Sequence, residues 1–233
     1  MKKILEKTFN ENNFEINDEK INKFNDFFNY LIKINEKMNL TRIISQEDVA
    51  KKHFLDSVYA SKYISQKSTV VDVGAGGGFP SIPLKIYRPD LDVTMIDSVG
   101  KKVDFLNDCV RLLSLENCRA VHARVEDFAR ENCFRENFDV CVSRAVAALN
   151  TLLEYCLPLV KIDGFFIAYK GSGALEELDA AKQALNKLGG SLEKIVEYSV
   201  VPEVKNYLLI FKKTGRTPTQ FPRRNNLPRK QPL

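Results

Sequence analysis

The chain has 233 residues, 44% apolar and 28% charged, with a net charge of +5. That supports one α/β domain with an extension, and no apolar run is long enough to span a membrane. Five cysteines, an odd number with no CxxC pair, and only two histidines argue against a disulfide framework or a zinc site and fit a reducing cytoplasm. The first residues, MKKILEKTFNENNFEIN, lack the apolar stretch of a secretory signal.

Ile21, Phe24, Phe27, Phe28, Leu31 and Met38 recur at helical spacing and predict a helix over 18–38. Asn17 is its expected cap, followed by Asp18 and Glu19 in the first turn. Shorter helical patterns at 46–52 and 54–64 complete an expected helical cap over residues 1–66. From residue 69 the pattern alternates between strand, turn and helix. Strands are predicted at 69–73, 91–97, 118–123, 138–144 and 164–171. Helices are expected through IPLKIY, GKKVDFLNDCVRLL and LNTLLEYCLPLV, and near 174–188. LEKIVEYSV and YLLIFKK, joined by VPEVKN, predict a closing hairpin. The expected fold is α/β and Rossmann-like. Its sheet is seven-stranded and mostly parallel, with right-handed crossovers and a C-terminal antiparallel hairpin, over residues 67–214. Residues 215–233 form a basic, proline-rich tail, and no acidic residue follows Glu203. Proline at that density resists both helix and central strand, so the tail is either a solvated segment or a phosphate-facing arm.

The stretch VVDVGAGGGFPSIP places Asp72, Gly74, Gly76 and Gly78 in a D-x-G-x-G-x-G turn after the first strand. A dinucleotide fingerprint needs glycine where Phe79 stands. A carboxylate at Asp72 would repel a pyrophosphate but favours a cation, and S-adenosylmethionine carries both an ammonium and a sulfonium. Asp97 ends the second strand, where an acid can accept from both ribose hydroxyls, with Ser98 beside it. In ARVEDF, the Val125 backbone and the Glu126 or Asp127 side chain are placed to read an adenine edge. The three strand ends together describe an adenosyl site.

After the fourth strand, CVSRAVAAL lacks the acid, Asn or Ser followed by two prolines and an aromatic that grips an exocyclic amine. Cys141 and Cys156 fall inside predicted elements and read as core residues, not pyrimidine-attacking nucleophiles. Guanine N7 needs neither device: its lone pair is already nucleophilic and no proton must leave, so positioning carries the rate. Arg144 and Lys170, at the fourth and fifth strand ends, are the candidate catalytic residues. Each has a plain alternative as an ion pair with a surface acid. Lys101, Lys102 and the basic tail outline a phosphate track suited to RNA. His53 is placed either to stack on a base or as a core histidine.

MNLTRI, HFLDSV, VVDVGAGGGFPSIPLKI, MIDSVGKKVDFL, AVHARVEDF, FDVCVSRAVAAL, LPLVKIDGFFIAYKG and PRRNNLPRKQPL occur in order from about residue 25 to the C-terminus. Together they resemble the ribosomal RNA small subunit methyltransferase G family, also called glucose-inhibited division protein B. The resemblance implies transfer of a methyl group from S-adenosylmethionine to N7 of a guanine in the 530 loop of 16S rRNA, in the small ribosomal subunit. It further implies cofactor contacts at Gly74, Phe79, Val125, Glu126 and Arg144. His53, Lys101, Lys102, Arg223 and Arg224 are the expected RNA contacts, on a cytoplasmic monomer needing neither metal nor membrane. Ser81 stands where the family has glycine, and Val125 where it has alanine. The competing readings are a methyltransferase for another RNA or a protein, and a ribosome-assembly factor that keeps the fold without turnover; a dehydrogenase ranks last.

Overall fold

A computed structural model describes residues 1–233. The chain opens with helices α1 (Lys2–Glu11) and α2 (Asp18–Met38). The Asn17 side chain accepts the Lys20 amide at the start of α2, and Asn39 closes it in the left-handed conformation, φ 49°. Between Gln46 and Tyr63 the helical passage changes pitch three times. It runs through α3 (Gln46–Asp48), a π-helical segment (Val49–Leu55), α4 (Asp56–Val58) and a 3-10 turn (Tyr59–Tyr63). This corrects the expectation of two separate helical stretches: the wider π turn keeps the passage unbroken while burying His53, Phe54, Leu55 and Asp56 together.

The α/β part follows in order: β1 (Thr69–Val73), α5 (Ser81–Tyr87), β2 (Asp92–Asp97), α6 (Gly100–Leu112), β3 (Cys118–His122), α7 (Val125–Phe128), β4 (Phe138–Arg144), α8 (Leu149–Cys156) and β5 (Val160–Lys170). Then come α9 (Ala174–Ala180), α10 (Lys182–Lys187), β6 (Gly190–Val201), β7 (Val204–Lys213) and the short α11 (Leu227–Lys230). The seven strands lie in the order β3-β2-β1-β4-β5-β7-β6. All pairs are parallel except β7 with its two neighbours. β5 starts earlier than expected, at Val160, where the β4 pairing is irregular between Phe138 and Val140. β6 is also longer than expected, leaving only Pro202 and Glu203 between the hairpin strands. Glu203 turns through φ 66°. No helix is long and apolar enough to cross a membrane.

Each face of the sheet has its own apolar core. One joins Leu5, Phe9, Phe24 and Phe54 of the helical cap to Val70, Met95 and Val142 of the strands, so the cap and sheet bury a single core. Its aromatic rings form a chain: Phe9–Phe24, Phe24–Phe54, Phe54–Phe27 and Phe27–Phe79 centroids are 5.3, 5.0, 5.6 and 5.6 Å apart. Aromatic pairs at such spacings gain beyond their buried area. The chain ends at Phe79, so the cap supports the glycine turn directly.

The opposite core packs α7, α8 and α10 on the sheet and takes in Phe221 of the tail. The tail thus lies against the body of the protein, held by buried Thr217, Phe221, Pro222 and Pro228 while residues between them stay exposed to solvent. The tail forms no strand, so its carbonyls have no ladder partners, and the half-buried Arg130 and Arg135 donate to them. Arg135 reaches the Thr217 and Phe221 carbonyls at 2.9 and 2.8 Å, and Arg130 those of Gln220 and Pro222 at 2.7 and 3.0 Å.

Candidate active site

A cavity of about 590 Å³ opens where β1, β2 and β4 end and just beyond β3. This is the carboxyl edge of an open sheet at its topological switch point, where such folds bind ligands. The glycine turn forms its floor. The Gly74 and Ala75 amides donate to the Ile96 carbonyl at 2.9 and 3.1 Å, tying the turn to β2. Gly74 has φ +78°, and a Cβ there would stand 2.4 Å from Val146 Cγ2. Gly78 has φ +89°, and a Cβ there would meet Ile82 Cγ1 at 2.8 Å. Both positions need glycine twice over, for backbone conformation and for space. Gly74, Gly76 and Phe79 line the cavity, whereas Gly78 supports the turn from behind.

Asp97 does two things at once. Oδ1 accepts the Val99 amide and Oδ2 the Gly76 amide, both at 2.9 Å. It therefore fixes the turn leading into α6, whose N-cap is Val99 and has no side-chain cap, and also clamps the glycine turn. Each of its oxygens keeps acceptor capacity on a cavity-lining residue. Ser98 lies beside it on the wall.

Asp72 is placed differently from the expected direct contact. It is fully buried behind the turn, with the Ser81 hydroxyl and amide nearby but no well-formed hydrogen bond to either carboxyl oxygen. Burial pushes its pKa up to about 7, opposed by Ser81 and Arg144 and reinforced by the Asp97 charge. It acts on the cavity as a field behind the floor.

At the far end, Val125 and Glu126 begin α7. Glu126 is 5% exposed, lines the cavity and makes no hydrogen bond to the protein. Of the two acids in VED, it is the one facing a ligand, because Asp127 lies outside, 3.4 Å from Arg224. The Glu126 carboxylate opens onto the cavity with no protein donor, so it is available to accept from a ligand, and an exocyclic amine is such a donor. Together with the turn, Asp97 and the carboxyl behind the floor, it gives a donor and acceptor set that fits S-adenosylmethionine.

Arg144 lies at the opposite end, held by the helical cap. Nη1 donates to Asp56 Oδ2 at 2.6 Å and to the Lys52 carbonyl at 3.2 Å, and Nη2 to His53 Nδ1 at 3.2 Å. Its guanidinium carbon stands 5.1 Å from the Phe79 ring centre. An arginine only donates, so His53 accepts at Nδ1 and carries its proton on Nε2, toward the Thr41 hydroxyl at 2.8 Å. Burial, then Arg144, lowers the His53 pKa to about 3, keeping the ring neutral. His53 stacks on Phe79 at 4.2 Å between centroids, so that face is not free for a base. Asp56 also accepts from the Tyr198 hydroxyl at 2.7 Å, tying the cap to β6.

Lys170 does not line the cavity. Its ammonium donates to the Ala147 carbonyl at 2.9 Å and to Glu177 at 2.7 Å, bracing the loop after β4. Arg223 is likewise committed. Its backbone amide and guanidinium bind the fully buried Glu154, with Nη2 to Oε2 at 2.6 Å, so it anchors the tail and offers no free cation to phosphate. Lys102 is on the cavity wall; Lys101 and Arg224 are exposed outside it. Sequence reasoning missed Thr41, Asp56, Tyr155, Asn226 and Arg229. Only Asp56 had a local signal, its spacing from His53 within one helical turn of HFLDS. No group of three His, Cys, Asp or Glu side chains is arranged to hold a metal ion.

A family model described as rRNA small subunit methyltransferase G matches residues 20–204. The chain belongs to that family. A ribosomal RNA small subunit methyltransferase G from Halalkalibacterium halodurans is 44% identical over 96% of this chain and 95% of the relative. One from Alkaliphilus metalliredigens is 42% identical over 100% and 98%. Among solved structures, geranyl diphosphate C-methyltransferase from Streptomyces coelicolor, in complex with Mg2+, geranyl diphosphate and S-adenosyl-L-homocysteine, aligns at TM-score 0.52. It is 13% identical and covers 69% of this chain and 79% of its own. Precorrin-6y C5,15-methyltransferase from Geobacter metallireducens aligns at 0.51 with 16% identity, covering 75% and 92%. At those identities the likeness is one of fold, that of class I methyltransferases.

Proposed function

We propose that this protein transfers the methyl group of S-adenosylmethionine to N7 of a guanine in the 530 loop of 16S rRNA. The observation that carries the choice of acceptor is that the reacting end of the cavity holds no free base and no free nucleophile. His53 has both ring nitrogens engaged, and Arg144 cannot accept a proton. Cys141 is fully buried with its thiol pKa raised, and Cys156 is equally buried. N7 needs neither, because its lone pair attacks directly and no proton leaves.

When bound, the cofactor supplies an electrophilic methyl on a sulfonium. The residues that would hold it are the glycine turn beneath, Asp97 at the ribose, and Val125 with Glu126 at the adenine. Arg144 orients what enters the other end. Asp56, His53 and the Lys52 carbonyl take three of its five hydrogens, and the Nε hydrogen and one Nη2 hydrogen remain for a ligand. Because those three partners and Phe79 fix the guanidinium beforehand, little ordering is left for the moment of reaction. 16S rRNA presents such a guanine, whether as naked RNA, in an assembly intermediate or in the small ribosomal subunit, and the test below separates the bare RNA from the subunit.

The test is methyl transfer from labelled S-adenosylmethionine to 30S subunits and to bare 16S rRNA from a strain lacking this gene, mapped by cleavage at 7-methylguanosine. One stop in the 530 loop is expected. Label at another nucleotide or on protein overturns the acceptor, and no label with cofactor binding intact leaves a binding factor.

A further inference from the structure

The tail supplies part of the cavity. Asn226 and Arg229 line it, at the end where Glu126 and Tyr155 stand. Arg229 Nη2 donates to the Val146 carbonyl at 3.0 Å, and its charge faces the Tyr155 hydroxyl. Val146 in turn covers Gly74, so closely that a Cβ on that glycine would meet it at 2.4 Å. From the tail to the cavity floor is therefore two contacts: Arg229 to Val146, and Val146 to the glycine turn.

The placement of Arg229 is built by anchors that do not touch the cavity. Arg223 binds the buried Glu154, and its Nη2 also reaches the Gln231 carbonyl at 2.8 Å. The buried Thr151 hydroxyl donates to the Pro228 carbonyl at 3.0 Å. These bonds hold both ends of α11 against α8, and the carbonyls gripped by Arg130 and Arg135 fix the approach to it. A charged pair with one fully buried member is too specific a device for a tail that merely fills space.

We infer that residues 217–230 form a strap belonging to the cofactor site, with Asn226 and Arg229 closing its adenine end. In this role Arg229 is a positioning residue, holding the Val146 loop down on the glycine turn. The inference rests on the reading of this cavity as the S-adenosylmethionine site. It adds that cofactor affinity depends on a segment remote in sequence from every motif of that site.

The experiment titrates S-adenosylhomocysteine into the full-length protein by calorimetry and follows tryptic cleavage at Arg224, Arg229 and Lys230 with and without that ligand. Wild type should bind, and the ligand should slow strap cleavage at least several-fold. Arg229→Ala should raise Kd about tenfold, as expected for one lost cavity-ordering hydrogen bond, with an unchanged melting temperature for the ligand-free protein. Arg229→Lys, which keeps a donor for the Val146 carbonyl, should recover part of that loss. Arg223→Ala should weaken binding without touching the cavity and speed strap cleavage. Wild-type binding with an unaltered Kd in Arg229→Ala, and strap cleavage indifferent to ligand, overturns the strap's role and leaves the cofactor site standing. Failure of the wild type to bind overturns the cofactor-site reading itself.

Discussion

Asp72 sits in an environment at odds with its chemistry, a carboxyl fully buried without a well-formed hydrogen bond. Its folded pKa, about 7, lies above its ordinary 3.8. The folded chain therefore holds the proton longer than the unfolded chain, and stability is fully present below about pH 4 and falls as pH rises toward 7. Asp72→Asn should abolish that slope, so that its stability relative to wild type improves by up to about 4 kcal/mol between pH 4 and pH 8 in urea denaturation of the ligand-free protein. A cationic ligand reverses the preference by favouring the ionised carboxylate. S-adenosylmethionine should bind more tightly as pH rises through 7 and release a proton below it, and calorimetry in buffers of different ionisation enthalpy measures that proton. The neighbouring Gly74 gives a steric prediction. Gly74→Ala meets both a positive φ, which costs about 1–2 kcal/mol, and the Val146 side chain. Its Kd for S-adenosylhomocysteine should rise more than tenfold.

Among the elements, the passage from Gln46 to Tyr63 joins chemistry to fold. Its π segment and α4 place His53 and Asp56 against Arg144, and the Asp56 carboxylate also takes the Tyr198 hydroxyl from β6. Asp56→Ala leaves a nearly buried guanidinium and a buried phenol without their acceptor, at a cost of about 3–5 kcal/mol. A loss of unfolding free energy of that size in denaturant titration, with a lower kcat in the surviving folded fraction, is expected. The passage also shows what the sequence conveyed. The glycine turn, Asp97 and Glu126 were readable because each sits at a fixed offset from a strand that its own residues define. The two alternatives at VED were not separable, since only the Arg224 pairing shows that Asp127 faces outward. A π segment leaves no 3.6-residue rhythm to detect, so 46–52 and 54–64 read as separate pieces. Lys170 looked catalytic by strand-end position alone; Glu177, seven residues on, captures it.

For the molecule as a whole, the modest net charge conceals an uneven arrangement. Many cations pair with acids on the surface, but Lys102 and Arg124 on the cavity wall, and Arg42 in the adjoining recess of Asn39–Arg42, form no ion pair. Unpaired cations around a cavity mouth attract a polyanion, and each phosphate they neutralise adds to the salt dependence of binding. Lys102→Ala and Arg124→Ala should each lower the slope of log K against log salt for 16S rRNA by about 1. The whole-molecule placement of the tail was beyond sequence reasoning for a related reason. Its partners Arg130, Arg135 and Glu154 lie in helices and loops whose own patterns say nothing about residues near the C-terminus.

That placement has a consequence in time. The strap's anchoring bonds join residues 69 to 92 positions apart in sequence, as in Arg223 to Glu154 and Arg130 to Pro222. Contacts that span so much chain form after local helices and neighbouring strands, because the loops they close are entropically expensive until the rest is in place. In refolding from denaturant, helical signal should therefore return before the ability to bind S-adenosylhomocysteine. A chain halted between those two events would have every recognisable motif of its site and still be unable to hold its cofactor.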